Sequence, residues 1–389
     1  MKRKLGISII LSISILLLSY FMGNTSSPMA GEKAVLVKLN NWKAFLNLNK
    51  DSVPDDVLLI NVAFDKALTN YSENGMPIGQ FTITDRQKLL RFLTAARKAD
   101  NYKFIMMDVI FERGIETEYD SILFHTIASM QRIVIPVHED APLQDSILYA
   151  KAANGDYSIT HDETDFVRFQ FMHDDVPSMP LVMYKASTGK EIKRRGLFYT
   201  SDGHLCSNGL TLKLPIRISG AYMDKKDDDK NNCQRERSYI YMGADVLDLD
   251  SIIPIAEQIA GKIIVIGDFN TDVHRTYAGK QPGSVICLNA YYALLRGEHL
   301  ISYPFTLFLF FVYVIISLLM LNGKTLDSFV SNPLLKVASS FFTYTIVFTF
   351  IAMLVYATPS GIVYNPVLPT TIFTFLGLFI GGLRKITKI

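Results

Sequence analysis

The charge-free apolar runs at the two ends of this chain limit its fold more than any other feature. Residues Leu5 to Met22 read LGISIILSISILLLSYFM, with no charged side chain. A helix needs about 20 mainly apolar residues to cross the hydrocarbon core of a bilayer. This run approaches that length and exceeds the apolar core of an ordinary export signal. Pro28, in the following SSPMAG, stands where cleavage wants a small residue, so an uncleaved anchor at 5–22 is predicted. Three further spans are predicted at 303–321, 335–357 and 362–383, with Lys336 their one charged residue. No ionised group stands mid-span, which argues against a proton relay or an ion path.

Basic residues set the expected orientation. Lys2, Arg3 and Lys4 precede the first span, Lys324 and Lys336 flank the loop after the second, and Arg384, Lys385 and Lys388 follow the last. The turn TPSG between the third and fourth spans has none. With four spans, all basic clusters fall on one side. The expected layout is a cytoplasmic N-terminus at 1–4, the anchor at 5–22, an extracytoplasmic domain at 23–302, the three spans, and a cytoplasmic tail at 384–389. A cleaved precursor with three spans would leave the domain on the same side. The expected location is the inner membrane of a bacterial cell, with the bilayer as first partner. The formal net charge of +2, from scattered Lys and Arg, gives no concentrated basic surface for nucleic acid.

The exported segment alternates strands and helices. VLLINVAF (57–64), KFIMMDV (103–109), RIVIPV (132–137) and KIIVIG (262–267) are near-continuous apolar runs, as for strands buried on both faces. Between them, Thr84 with Gln87 gives a capping-box signature, and Leu89, Leu90, Leu93 and Ala96 share a helical face. Helices are also predicted at 119–130, 252–260 and 285–295, the last stopping at Gly297. From Glu139 to Arg237 the pattern weakens. LVMYK from Leu181, GLFYT from Gly196 and LKLPIRI from Leu212 read as short strands, and Asp224–Arg237 reads as a solvated charged loop. The expected fold class is α/β, a doubly wound, mainly parallel sheet. Ligands of such sheets sit beyond the carboxyl ends of the strands, where Asp65, Asp108, His138 and Asp268 stand. For each alone, a capping or Asx-turn role competes with a ligand role.

Asp268 belongs to GDFN, a string also found in metal-dependent nucleases and phosphatases. That family of enzymes also carries an earlier metal-binding Glu and a late Ser-Asp-His motif with the general-base His. Here Ser201-Asp202-Gly203-His204 comes before GDFN and is interrupted by Gly203. An exported metal-dependent phosphohydrolase therefore remains only an alternative, with no supported catalytic constellation, metal or cofactor.

A longer block resembles the closing part of the CHASE domain, type two, an extracellular sensory domain associated with cyclases and histidine kinases. The matching residues are Gly261, Lys262, Ile266, Gly267, Asp272, Thr276, Pro282, Gly283, Asn289, Ala290, Leu294, Leu295 and Gly297. INVAFDKAL is similar to the family's first strand, and Gly75-Met76-Pro77 with Asp85-Arg86 to its Gly-x-Pro and Arg elements. YKFIMMDVIF with Tyr119-Asp120 is similar to its second strand and acidic helix start. Met76 and Ile78 stand where the family usually carries aromatics. One anchor before the domain and three spans after it is also that family's layout.

The resemblance implies a membrane-anchored sensor. Its candidate ligand-binding residues are Asp65, Asp108, Asp268, Asp272, Thr276 and Gly283. The Pro282-Gly283 helix entry could offer backbone N–H groups to an anion. The chain ends at Ile389, a few residues past the last span, so the signal is expected to reach a separate histidine kinase, cyclase or other transmitter. An unknown small ligand and a second copy of the chain are the other partners considered. A passive envelope docking or assembly protein is the third reading. Of Cys206, Cys233 and Cys287, the first two lie in loop-rich sequence and are expected to pair, and Cys287 to be a buried thiol.

Overall fold

A computed structural model describes residues 2–25, 31–46, 53–73, 76–156, 165–218, 239–323, 333–357 and 364–386. The charged run Asp224–Arg237, Cys233, Gly75, Lys324 and the TPSG turn lie outside the described residues.

The centre is a six-stranded sheet in the order 240–241, 57–61, 263–267, 104–107, 133–137, 152–154, and every pairing in it is parallel. The apolar runs read from sequence are its four inner strands. Both faces are buried, and successive residues alternate between two cores. Leu59, Met106 and Val265 point into one core; Ile60, Ile105 and Ile264 point into the other. Helices Arg86–Ala99 and Asp120–Ser129 cover the second face, and Met179–Thr188 and Gly283–Leu295 cover the first.

Several local expectations change. Helix Arg86–Ala99 is capped by Asp85, not Thr84: the Asp85 carboxylate accepts from the Lys88 amide at 3.1 Å. LVMYK is not a strand but the body of helix Met179–Thr188. Pro180 in its first turn is preset for helix, and Gly189 at φ 72° closes it, signals that outweigh a short apolar run. The helix expected at 252–260 contracts to Ile255–Gln258, preceded by a π-helical turn over Met242–Leu247. Several elements escaped the sequence. Among the described residues, Lys66–Glu73 and Met76–Thr84 form a hairpin that pairs with no other strand, and Val273–Thr276 pairs with Gly279–Pro282. Helix Glu32–Phe45 follows the anchor.

LKLPIRI forms no strand either, though most of it is buried. Pro215 removes one donor, the Leu212 amide donates to the Val167 carbonyl, and side chains serve the backbone of Leu214, Ile216 and Ile218. The Leu214 amide donates to the Tyr277 hydroxyl, and the Ile216 amide to Asn289 Oδ1. Asn289 Nδ2 returns a bond to the Ile216 carbonyl at 2.8 Å. Gln281 does the same for Ile218, accepting from its amide and donating to its carbonyl. A buried backbone must be paired, and here two amide side chains replace a neighbouring strand.

Among the described residues, three helices are long and apolar enough to cross a membrane: Lys2–Gly23, Tyr303–Leu321 and Ala338–Ala357, the last within helix Pro333–Ala357. The region of the fourth expected span holds helix Val367–Ile386, whose apolar stretch among the described residues, Val367–Ile380, is shorter. The anchor lies antiparallel to Tyr303–Leu321. Lys4 Nζ donates to Asn322 Oδ1 at one end, and Gly23 and Ile301 approach the same cavity at the other.

Candidate functional site

The carboxyl edge of the sheet brings the predicted acidic residues together and gives most of them partners. Asp65 is buried; its carboxylate accepts from Lys88 Nζ at 2.6 Å and from the Gly243 amide at 3.2 Å. A Cβ on Gly243 would stand 2.5 Å from Asp65 Oδ1, so the π-helical turn approaches this closely because residue 243 is glycine. The hydrogen bond to Asp65 raises the Lys88 pKa, against the opposing effect of burial. Asp268 Oδ2 accepts from Lys66 Nζ at 2.9 Å, and Oδ1 accepts from the Asn270 and Thr271 amides. Burial works against ionisation of Asp268, but these donors outweigh it and lower its pKa. GDFN is thus a strand exit closed by an Asx turn and an ion pair. Asp108 is half-buried, and its amide donates to the Ile266 carbonyl. His138 Nδ1 lies 2.8 Å from Asp156 Oδ1, in the next loop along the edge.

Asp272, Thr276 and Gly283 form a second group around the hairpin Val273–Pro282. The Asp272 carboxylate lies 3.3 Å from His274 Nε2, and its carbonyl accepts from the Gly283 amide. Thr276 Oγ1 donates to the Gly279 carbonyl and accepts from the Ala278 amide. The Gly283 amide that was expected to face an anion is therefore taken by its own hairpin. Gly267 matters for a different contact: a Cβ there would meet Ser284 Oγ at 2.8 Å, so the helix start rests on the strand end.

Sequence reasoning missed Asn61 at this edge. It is fully buried; its Oδ1 accepts from the Ala63 and Phe269 amides, and its Nδ2 donates to Asn270 Oδ1. One amide side chain thus ties the ends of two adjacent strands. Its signal was a lone Asn closing the apolar run VLLIN. Arg86 and Asp120, noted separately as family elements, form a buried pair with Nε 3.8 Å from Oδ1. The Arg86 guanidinium stacks 4.3 Å from the Phe111 ring centroid. Burial lowers the Arg86 pKa to about 10, with Asp120 opposing.

A second constellation lies where the domain meets its tethers, and no sequence motif marked it. The segment Leu205–Gly209 holds both. From the anchor side, Tyr20 hydroxyl donates to the Cys206 carbonyl and accepts from the Tyr199 amide. Asn24 Oδ1 accepts from Ser207 Oγ and from the Asn208 amide. From the other tether, the Ile301 amide donates to the Leu205 carbonyl, and the Ser207 amide to the His299 carbonyl. A Cβ on Gly209 would lie 2.4 Å from the Gly23 carbonyl oxygen, so this close packing depends on glycine. Arg168, fully buried, completes the joint. Its Nη1 donates to the Met22 and Thr25 carbonyls, and its Nη2 lies 2.5 Å from Glu32 Oε1. A cation at these carbonyls also matches the negative end of the anchor-helix dipole.

Cys206 carries a free, fully buried thiol, and burial pushes its pKa up to about 12; Cys233, with which it was considered to pair, lies outside the described residues. Cys287 is buried, as its helix face implied.

A two-faced α/β domain tied fore and aft to apolar helices defines a class: membrane-anchored proteins whose main domain stands outside the bilayer's hydrocarbon. The CHASE2 domain family matches residues 20–322, most of the chain, and the protein belongs to that family of extracellular sensory domains. No curated protein and no solved structure matches the chain.

Proposed function

We propose that this protein is a multi-pass sensor of the bacterial inner membrane. In this reading its domain stands outside the cytoplasm, both termini are cytoplasmic, and the sheet's carboxyl edge meets a small ligand. The response passes through the helices to a separate histidine kinase, cyclase or other transmitter. One observation carries the relay: a single five-residue segment, Leu205–Gly209, bonds both the tether entering the domain and the tether leaving it. A shift of that segment reaches both spans together. A ligand drives such a shift only by binding two arrangements of the joint unequally.

The topology is supported by the Lys4–Asn322 bond, which sets the first residues of the chain beside the far end of the helix leaving the domain. It is also supported by the basic residues Lys2, Arg3, Lys4, Lys336, Arg384 and Lys385 around the spans. The contacts of Asp65 and Asp268 suit an ionic latch that a ligand would open by taking over Lys88 or Lys66. Reporter fusions after Ile389 test the layout. A fluorescent protein should glow there and alkaline phosphatase should stay inactive; active phosphatase would refute it. Co-purification in mild detergent tests the relay, and recovery of the protein without any transmitter counts against it.

A further inference from the structure

A cavity of about 130 Å³ lies between the end of the anchor helix, the underside of the domain and the start of helix Tyr303–Leu321. Leu16, Leu17, Phe198, Leu205, Leu309 and Tyr364 are among the residues that line it. Besides Tyr364, four polar side chains line it, and each of these four is turned to a partner. Ser19 donates to the Ile15 carbonyl and Thr306 to the Ser302 carbonyl. Ser207 donates to Asn24, and Tyr20 is taken up by Cys206 and Tyr199. The surface left to an occupant is almost entirely hydrocarbon. Apolar cavities of ~150 Å³ stay dry and take up apolar molecules.

We propose that this cavity holds part of an acyl chain of a bilayer phospholipid. The choice of occupant follows from continuity. Leu17 lines the cavity and, 43 % exposed, also belongs to the outward apolar face of the anchor, with Ile13 and Ile10. Leu307, Phe308 and Phe311 extend that face on the neighbouring helix. Both helices are long and apolar enough to cross a membrane, so a lipid lying on the anchor meets Leu17, which is at once exposed and part of the cavity wall. The cavity shares Tyr20, Leu205, Ser207 and Ile301 with the joint that holds both tethers, so the chain becomes part of the linkage between domain and spans. Assigning the lipid to the extracytoplasmic leaflet rests on the topology proposed above; binding itself does not.

The test uses the full chain in nanodiscs containing a phosphatidylcholine with a diazirine near the middle of one acyl chain. After irradiation, labelled peptides are mapped by mass spectrometry. Labelling of 198–207 is expected in addition to the exposed helix faces, because those residues belong to the domain. Labels confined to the helices would overturn the proposal. In the Leu205→Trp variant, which fills the cavity from the domain side, labelling of Phe198 should fall about fivefold or more. Leu307→Trp, on the outer face, should leave it unchanged. If Leu205→Trp does not fold, the wild-type map alone decides. Native mass spectrometry should find a phospholipid retained by the wild-type chain; a retained apolar molecule of another class would overturn the lipid assignment. The reporter fusions read topology independently of all these outcomes.

Discussion

His299 is fully buried between the rings of Phe171 and Tyr184, and neither ring nitrogen has a hydrogen-bond partner. Burial lowers its pKa from 6.5 to about 4, and nearby Lys190 adds to the shift. A depressed base binds its proton in the unfolded chain before the folded one. Stability is therefore whole above pH 6.5 and falls as pH drops from 6.5 towards 4. A shift of that size is worth at most about 3 kcal/mol. The prediction is that the Tm of the solubilised protein drops more steeply across that window than the Tm of His299→Phe. Parallel profiles would show that His299 is not the titrating group. The two described thiols give a second prediction at this scale. Cys206 and Cys287 are buried, and the Cys206 thiol has its pKa pushed up to about 12. Alkylation at neutral pH should leave both unmodified in the folded protein and modify both after denaturation without reductant. Failure to modify Cys206 in the denatured, non-reduced chain would restore the expected disulfide.

At the scale of elements, Leu212–Ile218 depends on a helix side chain for its backbone bonds. Replacing Asn289 by Leu keeps the size but leaves the Ile216 amide and carbonyl without the partners they now have. Each buried group stripped of its partner costs about 1–3 kcal/mol, so a loss of about 2–6 kcal/mol is predicted for Asn289→Leu by denaturant unfolding. A loss below about 1 kcal/mol would mean that the segment re-pairs elsewhere. The same segment shows where sequence reading stops. The inner strands were legible because a strand buried on both faces is apolar at every position, as in VLLIN and IIVIG. LKLPIRI has the same composition, but what serves its backbone comes from 281 and 289, and no local pattern reports that. LVMYK was ambiguous in itself and was settled by Pro180 and Gly189 at its ends. At the candidate site, Asp65 and Asp268 were found because strand ends are visible. Their partners Lys88, Gly243 and Lys66 were not, since which residue folds back on a carboxylate is decided by tertiary approach.

For the molecule as a whole, the question is whether the joint opens as a unit of its own. Arg168 and Glu32 are both fully buried, and each is the other's ionic partner. Breaking a buried pair from one side strands the remaining charge and costs about 3–5 kcal/mol. Arg168→Met removes the bonds to Met22 and Thr25 as well, and takes from Glu32 the guanidinium it now faces. Arg168 reaches Met22, Thr25 and Glu32, all ahead of the sheet in the chain, while the central sheet is held by its own parallel ladder, so the sheet should keep its own stability. Local opening then becomes cheaper than global unfolding, and the two are separable by amide exchange. Full-length Arg168→Met is predicted to lose protection in 168–170, 205–211 and 299–301, while 57–61 and 263–267 exchange as in the wild type. Uniform loss of protection would show that domain and joint unfold together, leaving no independent element for a signal to move. Unchanged protection would show that the Leu205–Gly209 contacts grip the tethers without Arg168. The expected, confined loss would identify the joint as the two-state part that ligand, acyl chain and transmitter could all bias.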